Sequence, residues 1–404
     1  MSEKWPEVTI GEICNIQADR REPQHLPADT RYLGLEHIES EHFRILGFGP
    51  IEEISSSVSP FQKTDVLFGR LRPYLRKVVL ANTDGVCTPE ILVLRPNPFL
   101  VLPLFLHSVV SSEPVIERCI AMSAGTRMPR TKANDLAEIP VLLPPLDVQN
   151  RVVDLIESMD SYIDALRTQA DAARTARTSL LHELLYADDD DWTDAVLSDL
   201  LRRSIGGVWG SEEGSEEVDV TVVRSTEFTS SGYLNFATGV RRSCTDRQLA
   251  SRELQEGDIL LEKSGGGPKQ PVGRVVYVTD EIPEDTVCAN FVQLVSPDPE
   301  AVCPEFVFLL MWLWHSEGRT LRYQAQTTGI RNLRTKDYLA QTIRLPPRAA
   351  QERIVDIASA VEGLATASKE ASAAATRLRN GLLSELLSGD HEIPESYDEL
   401  LEAS

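Results

Sequence analysis

Two stretches of the chain place apolar and small residues at alternating steps of four and three. The first runs through Leu155, Met159, Tyr162, Leu166, Gln169, Ala173, Ala176 and Leu180. The second runs through Ile357, Val361, Leu364, Ser368, Ala371, Ala375, Leu378 and Leu382. Such a seam predicts two long helices that pack as a coiled coil, and its Ala- and Ser-rich middle permits close approach. Each stretch begins after a Pro-Pro pair, where proline suits a helix start but not an interior. Ahead of each lie short β-branched or apolar runs bounded by Gly, Pro, Asp and Asn: "DVLFG", "KVVLA" and "EILVLRP", then "DILLEK" and "GRVVYVT". These predict strands. A helix is expected in each half as well, near residues 103–120 and 304–326.

The two patterns are copies. Residues 143–185 align with 345–387 without a gap at 16 identities in 43 positions, from "LPPLDVQNRVVDLI" against "LPPRAAQERIVDIA" to "SLLHELL" against "GLLSELL". The echo reaches further back. "WPEVTIGEI" (5–13) matches "WTDAVLSDL" (192–200), "VCTPEILVLRP" (86–96) matches "VCANFVQLVSP" (287–297), and "GTRMPRTKANDL" (125–136) matches "GIRNLRTKDYL" (329–339). A period this long exceeds a solenoid repeat and indicates duplication of a whole domain with its arm. The expected architecture is α+β: two globular domains, each followed by a long helix, with the helices paired as an antiparallel coiled coil about a pseudo-twofold axis. Each arm could instead pack on its own domain, but the matched register favours pairing. The boundaries follow as 1–142, an arm at 143–187, an acidic linker and second domain at 188–342, an arm at 343–388, and an acidic tail at 389–404.

Charge complicates any polyanion-binding reading, because the formal net charge is −22. The run "DDDD" at 188–191 and the tail from Gly389 hold ten of the acidic residues, which leaves room for local basic surfaces. Arg outnumbers Lys 32 to 8, and the guanidinium fork suits bidentate phosphate and guanine contacts. Six scattered cysteines without a C-x-x-C pair fit a reduced compartment. No apolar run reaches about 18 residues, and "MSEKWPEVTI" lacks the features of a signal peptide, so a cytoplasmic protein is expected.

Catalytic signatures are missing. There is no phosphate loop and no G-x-G-x-x-G opening a helix. "SGGGPKQPVG" (264–273) lies between strands and reads as a hairpin loop, and "HELLY" (182–186) stops short of H-E-x-x-H. None of the eight lysines has Asp or Glu two residues before it, and both Pro-Pro pairs follow Leu, which departs from nuclease and adenine-methyltransferase motifs. His37 and His42 are near neighbours but read as surface or turn residues. The chain reads as a binding protein without turnover.

Two halves that each close in LPP-x3-Q-x-R-[VI]-V, with an arm ending in LL-x-E-LL, resemble the specificity subunit of type I restriction–modification systems. "YLGLEHI" (32–38), "DVLFGRLRPYLRK" (65–77) and "GTRMPRTKANDLAEIPVLLPP" (125–145) carry the resemblance further. It implies that each globular half is a target recognition domain reading one part of a split DNA sequence. It also implies that the arms form a spacer that docks two modification (methyltransferase) subunits. S-adenosylmethionine chemistry, and ATP hydrolysis with Mg by a motor-nuclease restriction subunit, would belong to those partners, with no cofactor in this chain. Because the halves differ, the double-stranded DNA target should be asymmetric. The competing reading is a coiled-coil scaffold that holds two protein-binding domains apart without touching DNA.

Candidate DNA contacts follow from basic and aromatic side chains that alternate or recur. Arg70, Arg72, Tyr74, Arg76 and Lys77 share one loop, suited to phosphate contact and base readout. Arg127, Arg130 and Lys132 form a second cluster, matched in the other half by Arg331, Arg334 and Lys336. That recurrence suggests backbone anchoring. Lys263, Lys269 and Arg274 flank the glycine loop, where small residues let a backbone approach DNA closely.

Overall fold

The computed structural model describes residues 5–41, 43–123, 128–187, 189–266, 271–327 and 330–390. They fall into two compact units, one within residues 1–167 and 370–404 and the other within 168–369. The arms are therefore shared between units. Each unit contains one globular part, the half of one arm nearest to it in sequence, and the far half of the other arm.

In the first unit, strands Cys14–Gln17, Ile91–Pro96, Val66–Gly69 and Val78–Leu80 form an antiparallel sheet in that order. Successive side chains leave a strand on opposite faces, and both faces here are covered. Val66 and Phe68 enter a core with Phe105, Val109, Val153, Ile156, Leu383 and Leu386, whereas Leu67 enters another with Leu33, Phe61, Val79 and Val93. Burial on both sides explains why "DVLFG" and "EILVL" are unbroken apolar runs. A second sheet orders Gly49–Pro50, Arg31–Leu33, Gly85–Cys87 and Ser59–Phe61.

The second unit repeats the plan. Leu201–Gly206, Val292–Pro297, Ile259–Glu262 and Val275–Tyr277 form the antiparallel sheet, and Val240–Cys244, Val218–Val223 and Thr286–Cys288 form its companion. Short ribbons tie the start of each globular part to its end, Glu7–Thr9 on Pro140–Leu142 and Thr193–Val196 on Thr342–Leu345. These ribbons account for the repeated Trp-led segments. The second unit also carries a three-stranded sheet of Ser264–Gly266, Ile330–Leu333 and Gln324–Thr327. Its counterpart among the described residues of the first unit is a single bridge, Leu71 to Arg130.

Two expected helices change extent. The first divides into Pro103–Ser111 and Glu113–Met122, because Ser112 is extended and Pro114 cannot donate into a continuous helix. The second stops at Ser316. Gly318 adopts a left-handed φ of 71°, and the chain passes through a short 3-10 turn, Arg319–Tyr323, into strand Gln324–Thr327.

The arms are helices Leu146–Leu185 and Arg348–Ser388, and they pair antiparallel. Ala173, Ser368 and Ala375 of the expected seam are buried, but most of the buried line sits one residue from it. It passes through Val153, Ile156, Ile163, Ala170, Arg177 and Leu181 in one arm, and through Ala358, Ala365, Ser368, Ser372, Ala375 and Arg379 in the other. Tyr162, Leu364 and Leu378, placed on the seam by periodicity, are 58%, 47% and 66% exposed. The shift arises because charged residues take interior positions in pairs. Arg379 donates from Nε and Nη2 to Asp160 at 2.9 and 3.0 Å, with its guanidinium 5.2 Å over the Phe43 ring. Its counterpart Arg177 lies 3.4 Å from Glu362, without hydrogen-bond geometry at Nε, and 4.3 Å over the Trp312 ring. A paired guanidinium on a packed aliphatic stem can occupy such a seam, and periodicity scores it as a polar break.

The repeated glutamine of LPP-x3-Q also has a structural task. Buried Gln149 accepts from Leu102 N–H (2.9 Å) and donates to the carbonyls of Leu100 and Pro144 (both 2.9 Å). Gln351 accepts from Cys303 N–H and donates to Pro346 O, both at 2.8 Å. Each clamps the start of an arm to its globular part.

Candidate nucleic-acid interface

In the first unit, strand Val66–Gly69 delivers the chain to a basic turn. Arg70 is stitched on both sides: its N–H donates to Glu90 O (2.9 Å), its carbonyl accepts from Thr131 N–H (2.9 Å), and its Nε donates to Thr131 O (3.0 Å). Next comes a single 3-10 turn, Pro73–Leu75, flanked by Arg72 and Arg76 in the left-handed region at φ 53° and 49°. Arg76 pairs with Glu113, and Lys77 Nζ donates to Leu35 O at 2.6 Å. Arg72 is exposed with no side-chain partner among the described residues, and Tyr74 is 48% exposed. The bridge from Leu71 to Arg130 and the Arg72 N–H to Pro129 O bond (2.8 Å) bring residues 128–132 against this turn. There Arg130 Nε donates to both oxygens of Glu90 at 3.2 and 3.0 Å, and Lys132 is exposed. Arg127 and Lys269 lie outside the described residues.

In the second unit, Lys263 takes the place of Arg70: its N–H donates to Phe291 O (3.0 Å), and its carbonyl accepts from Leu333 N–H (2.8 Å). Its ammonium is 3.4 Å from Gln293 Oε1, and burial lowers its pKa. Lys263, Arg202, Arg203, Gln293, Thr335 and Lys336 line an open groove of about 730 Å³. Arg203 is held by buried Asp258 (2.9 Å); Arg202 is exposed, with its Nη2 3.8 Å from the same carboxylate and 3.4 Å from Gln255 Oε1, and Lys336 faces solvent. Arg274 is committed inside the fold: Nε and Nη2 grip Glu262 at 2.9 and 2.8 Å, and Nη2 also reaches Ser225 O at 3.0 Å. Arg331 Nη1 is 3.4 Å from Gln324 Oε1, and Arg334 Nη2 donates to Arg322 O at 2.8 Å.

The expected match of Arg130 and Lys132 with Arg334 and Lys336 is corrected by two residues. Lys132 O accepts the first helical bond from Leu136 N–H, and Arg334 O accepts the same bond from Tyr338 N–H. Arg334 is therefore the counterpart of Lys132, and Asn332, bonded to Ser264 Oγ at 2.6 Å, is the counterpart of Arg130. The shared letters R-T-K are a coincidence of composition, overruled by backbone pairing. Two residues of this surface escaped the sequence reading, Arg202 and the 52% exposed Phe291. The "RR" after the second Trp-led segment was a signal for Arg202. Phe291 shows only once the halves are superposed, where it stands opposite Glu90.

No group of three or more His, Cys, Asp or Glu among the described residues is placed to hold a metal ion. Among the same residues, no helix is long and apolar enough to cross a membrane.

No family model matches the chain. Over 210 residues, 52% of this chain, it is 26% identical to the type I restriction enzyme EcoDI specificity subunit of Escherichia coli. Over 192 residues, 46% of this chain, it is 21% identical to the HindI specificity subunit of Haemophilus influenzae. These matches cover 44% and 41% of the two proteins, so the chain spans less than half the length of the curated relatives it matches. A solved chain described under complex assembly and conformational transition of the type I R-M system shares the fold. That match covers 97% of this chain and 99% of the other, with a TM-score of 0.64 and 21% identity.

Proposed function

We propose that this chain is the DNA-recognition subunit of a type I restriction–modification assembly, each globular part reading one half of a split, asymmetric target. One observation carries the reading: the two units repeat their buried framework but not their exposed basic surface. The Gln149 and Gln351 clamps, the closing ribbons and the paired guanidiniums recur. Above the same strand exit, one unit presents Arg72 and Tyr74, and the other presents Lys263, Arg202, Lys336 and Phe291. A scaffold that is repeated while its cationic and aromatic contacts vary is what two different half-sites require. Lys132 and Lys336 suit phosphate contacts, which position a reader without specifying sequence.

Each arm exposes a large apolar side chain at the same position, Tyr162 in one and Leu364 in the other. One such contact point written twice suits two copies of one partner, here the methyltransferase subunit. Methyl transfer from S-adenosylmethionine, and ATP- and Mg-dependent cleavage by a restriction subunit, are assigned to the partners.

Co-expression with a methyltransferase subunit and long-read mapping of methylated bases tests the reading. A single bipartite, non-palindromic motif that depends on this chain is expected. Co-purification of the partner without chain-dependent methylation would instead favour the protein-binding scaffold.

A further inference from the structure

Within the basic turn of the first unit, the side chains divide into those that are held and those that are presented. Two non-glycine residues in the left-handed region, Arg72 and Arg76, are sterically disfavoured and persist only where surroundings over-determine them. Here the surroundings do so. Gly69 N–H donates to Lys77 O (2.7 Å), Arg76 N–H to Pro73 O (2.9 Å) and Arg72 N–H to Pro129 O (2.8 Å). Lys77 Nζ caps Leu35 O, and Arg76 is tied to Glu113 in the first turn of helix Glu113–Met122. The Arg76 side chain is mostly buried by that pairing, whereas Arg72 and Tyr74 project from the tip without partners among the described residues. A cation with its carboxylate already in place gains little from a phosphate. A pre-organised tip loses little freedom when it docks.

Resting on the DNA reading above, we infer that Arg72 and Tyr74 are the specificity-determining residues of the first recognition unit. The Arg76–Glu113 pair is a positioning device that aims them, not a DNA contact. Arg72 has the fork needed for a bidentate base contact, and Tyr74 supplies an apolar face with a hydroxyl edge.

Selection by the full chain from a pool of randomised duplexes tests this, with sequencing of the enriched DNA. Arg72→Ala and Tyr74→Ala should each erase enrichment at one half-site, the same for both, by about tenfold or more while the other half-site stays. Glu113→Gln should weaken that same half-site several-fold and keep non-specific affinity, and the charge-reversed pair Arg76→Glu with Glu113→Arg should restore it. Melting temperatures separate these effects from misfolding. If Arg76 itself gripped phosphate, removing the neighbouring acid in Glu113→Gln would leave binding equal or tighter and the reversed pair would stay weak. Either result overturns the positioning role. A wild-type chain that enriches no sequence overturns the DNA reading itself, and this inference with it.

Discussion

The two units place the same buried acid under different guardians. Asp65 ends the approach to strand Val66–Gly69 and accepts from Gln62 N–H (2.8 Å), while Arg95 grips both its oxygens at 2.9 and 2.7 Å. Asp258 does the same before Ile259–Glu262, accepting from Gln255 N–H (2.8 Å), but its guanidinium comes from Arg203 on Leu201–Gly206, one strand beyond Val292–Pro297. Where the first unit pairs Asn15 with Arg95 across two strands, the second pairs Arg203 with Ser296, whose hydroxyl donates to Asp258 at 2.5 Å. The charge has crossed the strand pair while the carboxylate stayed. Selection on a duplicated interior thus preserves satisfaction of a group rather than the identity of its partner, because an unpaired buried charge is what costs stability. Exposed positions face no such constraint, and there the halves diverge freely.

The largest effect should come from removing the acid. Asp258→Ala strands Arg203 and should cost the second unit about 3–5 kcal/mol in equilibrium unfolding, and Asp65→Ala somewhat less because Arg95 reaches water more readily. Exchanging Arg203→Asn with Ser296→Arg rebuilds the first unit's arrangement in the second and should recover most stability when combined with Asp258 intact. A double variant as unstable as Asp258→Ala would break the comparison.

Acid should separate the units next. His107 packs edge-on against Phe43, with ring centroids 5.3 Å apart, and burial followed by the charge of Arg379 lowers its pKa to about 4. The second unit has Phe308 in the corresponding helical position. The folded state holds the imidazole neutral and the unfolded chain does not. The contribution of His107 is therefore complete above about pH 6.5 and falls as pH drops toward 4, by up to about 1.4 kcal/mol per pH unit. In the second unit burial would raise the Glu227 carboxyl, but Arg224, Thr238 and Thr226 bring it down to about 2. Its contribution is present above the ordinary glutamate range and is lost only as pH falls toward 2. His107→Phe should flatten the first unit's stability between pH 6.5 and 4. An unchanged acid limb would remove His107 from the account.

The arm pairs predict a smaller asymmetry. Asp160 and Arg379 share two hydrogen bonds, whereas Arg177 and Glu362 meet at 3.4 Å without one at Nε. Breaking the first with Asp160→Ala should cost about 2–4 kcal/mol by thermal or urea unfolding. Replacing the second with Arg177→Met and Glu362→Leu should be near neutral or stabilising. Equal losses would mean that both pairs act as locks. Smallest are the phosphate contacts: Lys132→Ala and Lys336→Ala should each flatten the salt dependence of DNA binding by about one counterion and leave the motif unchanged. Arg274→Ala, whose guanidinium is committed to Glu262, should leave that slope alone.

What the sequence determined by itself is whatever covalent order encodes. The duplication, the strand-rich halves, the proline-led arms and their antiparallel pairing follow from repeats and local periodicity, and the "LPP" boundaries predicted where Leu146–Leu185 and Arg348–Ser388 begin. What only the tertiary structure decided is which member of each pattern faces inward. The arm seam moved by one residue where Arg177 and Arg379 find carboxylates on the opposite helix, while Ala173, Ser368 and Ala375 stayed buried on it. The R-T-K match moved by two because backbone pairing outranks side-chain identity. Among the basic candidates, Arg76, Arg130 and Arg274 meet Glu113, Glu90 and Glu262, brought to them by the fold, and Arg334 meets Asp337 one helical turn away. A cation's availability depends on the nearest carboxylate in space, and chain order carries no record of that distance until the fold closes.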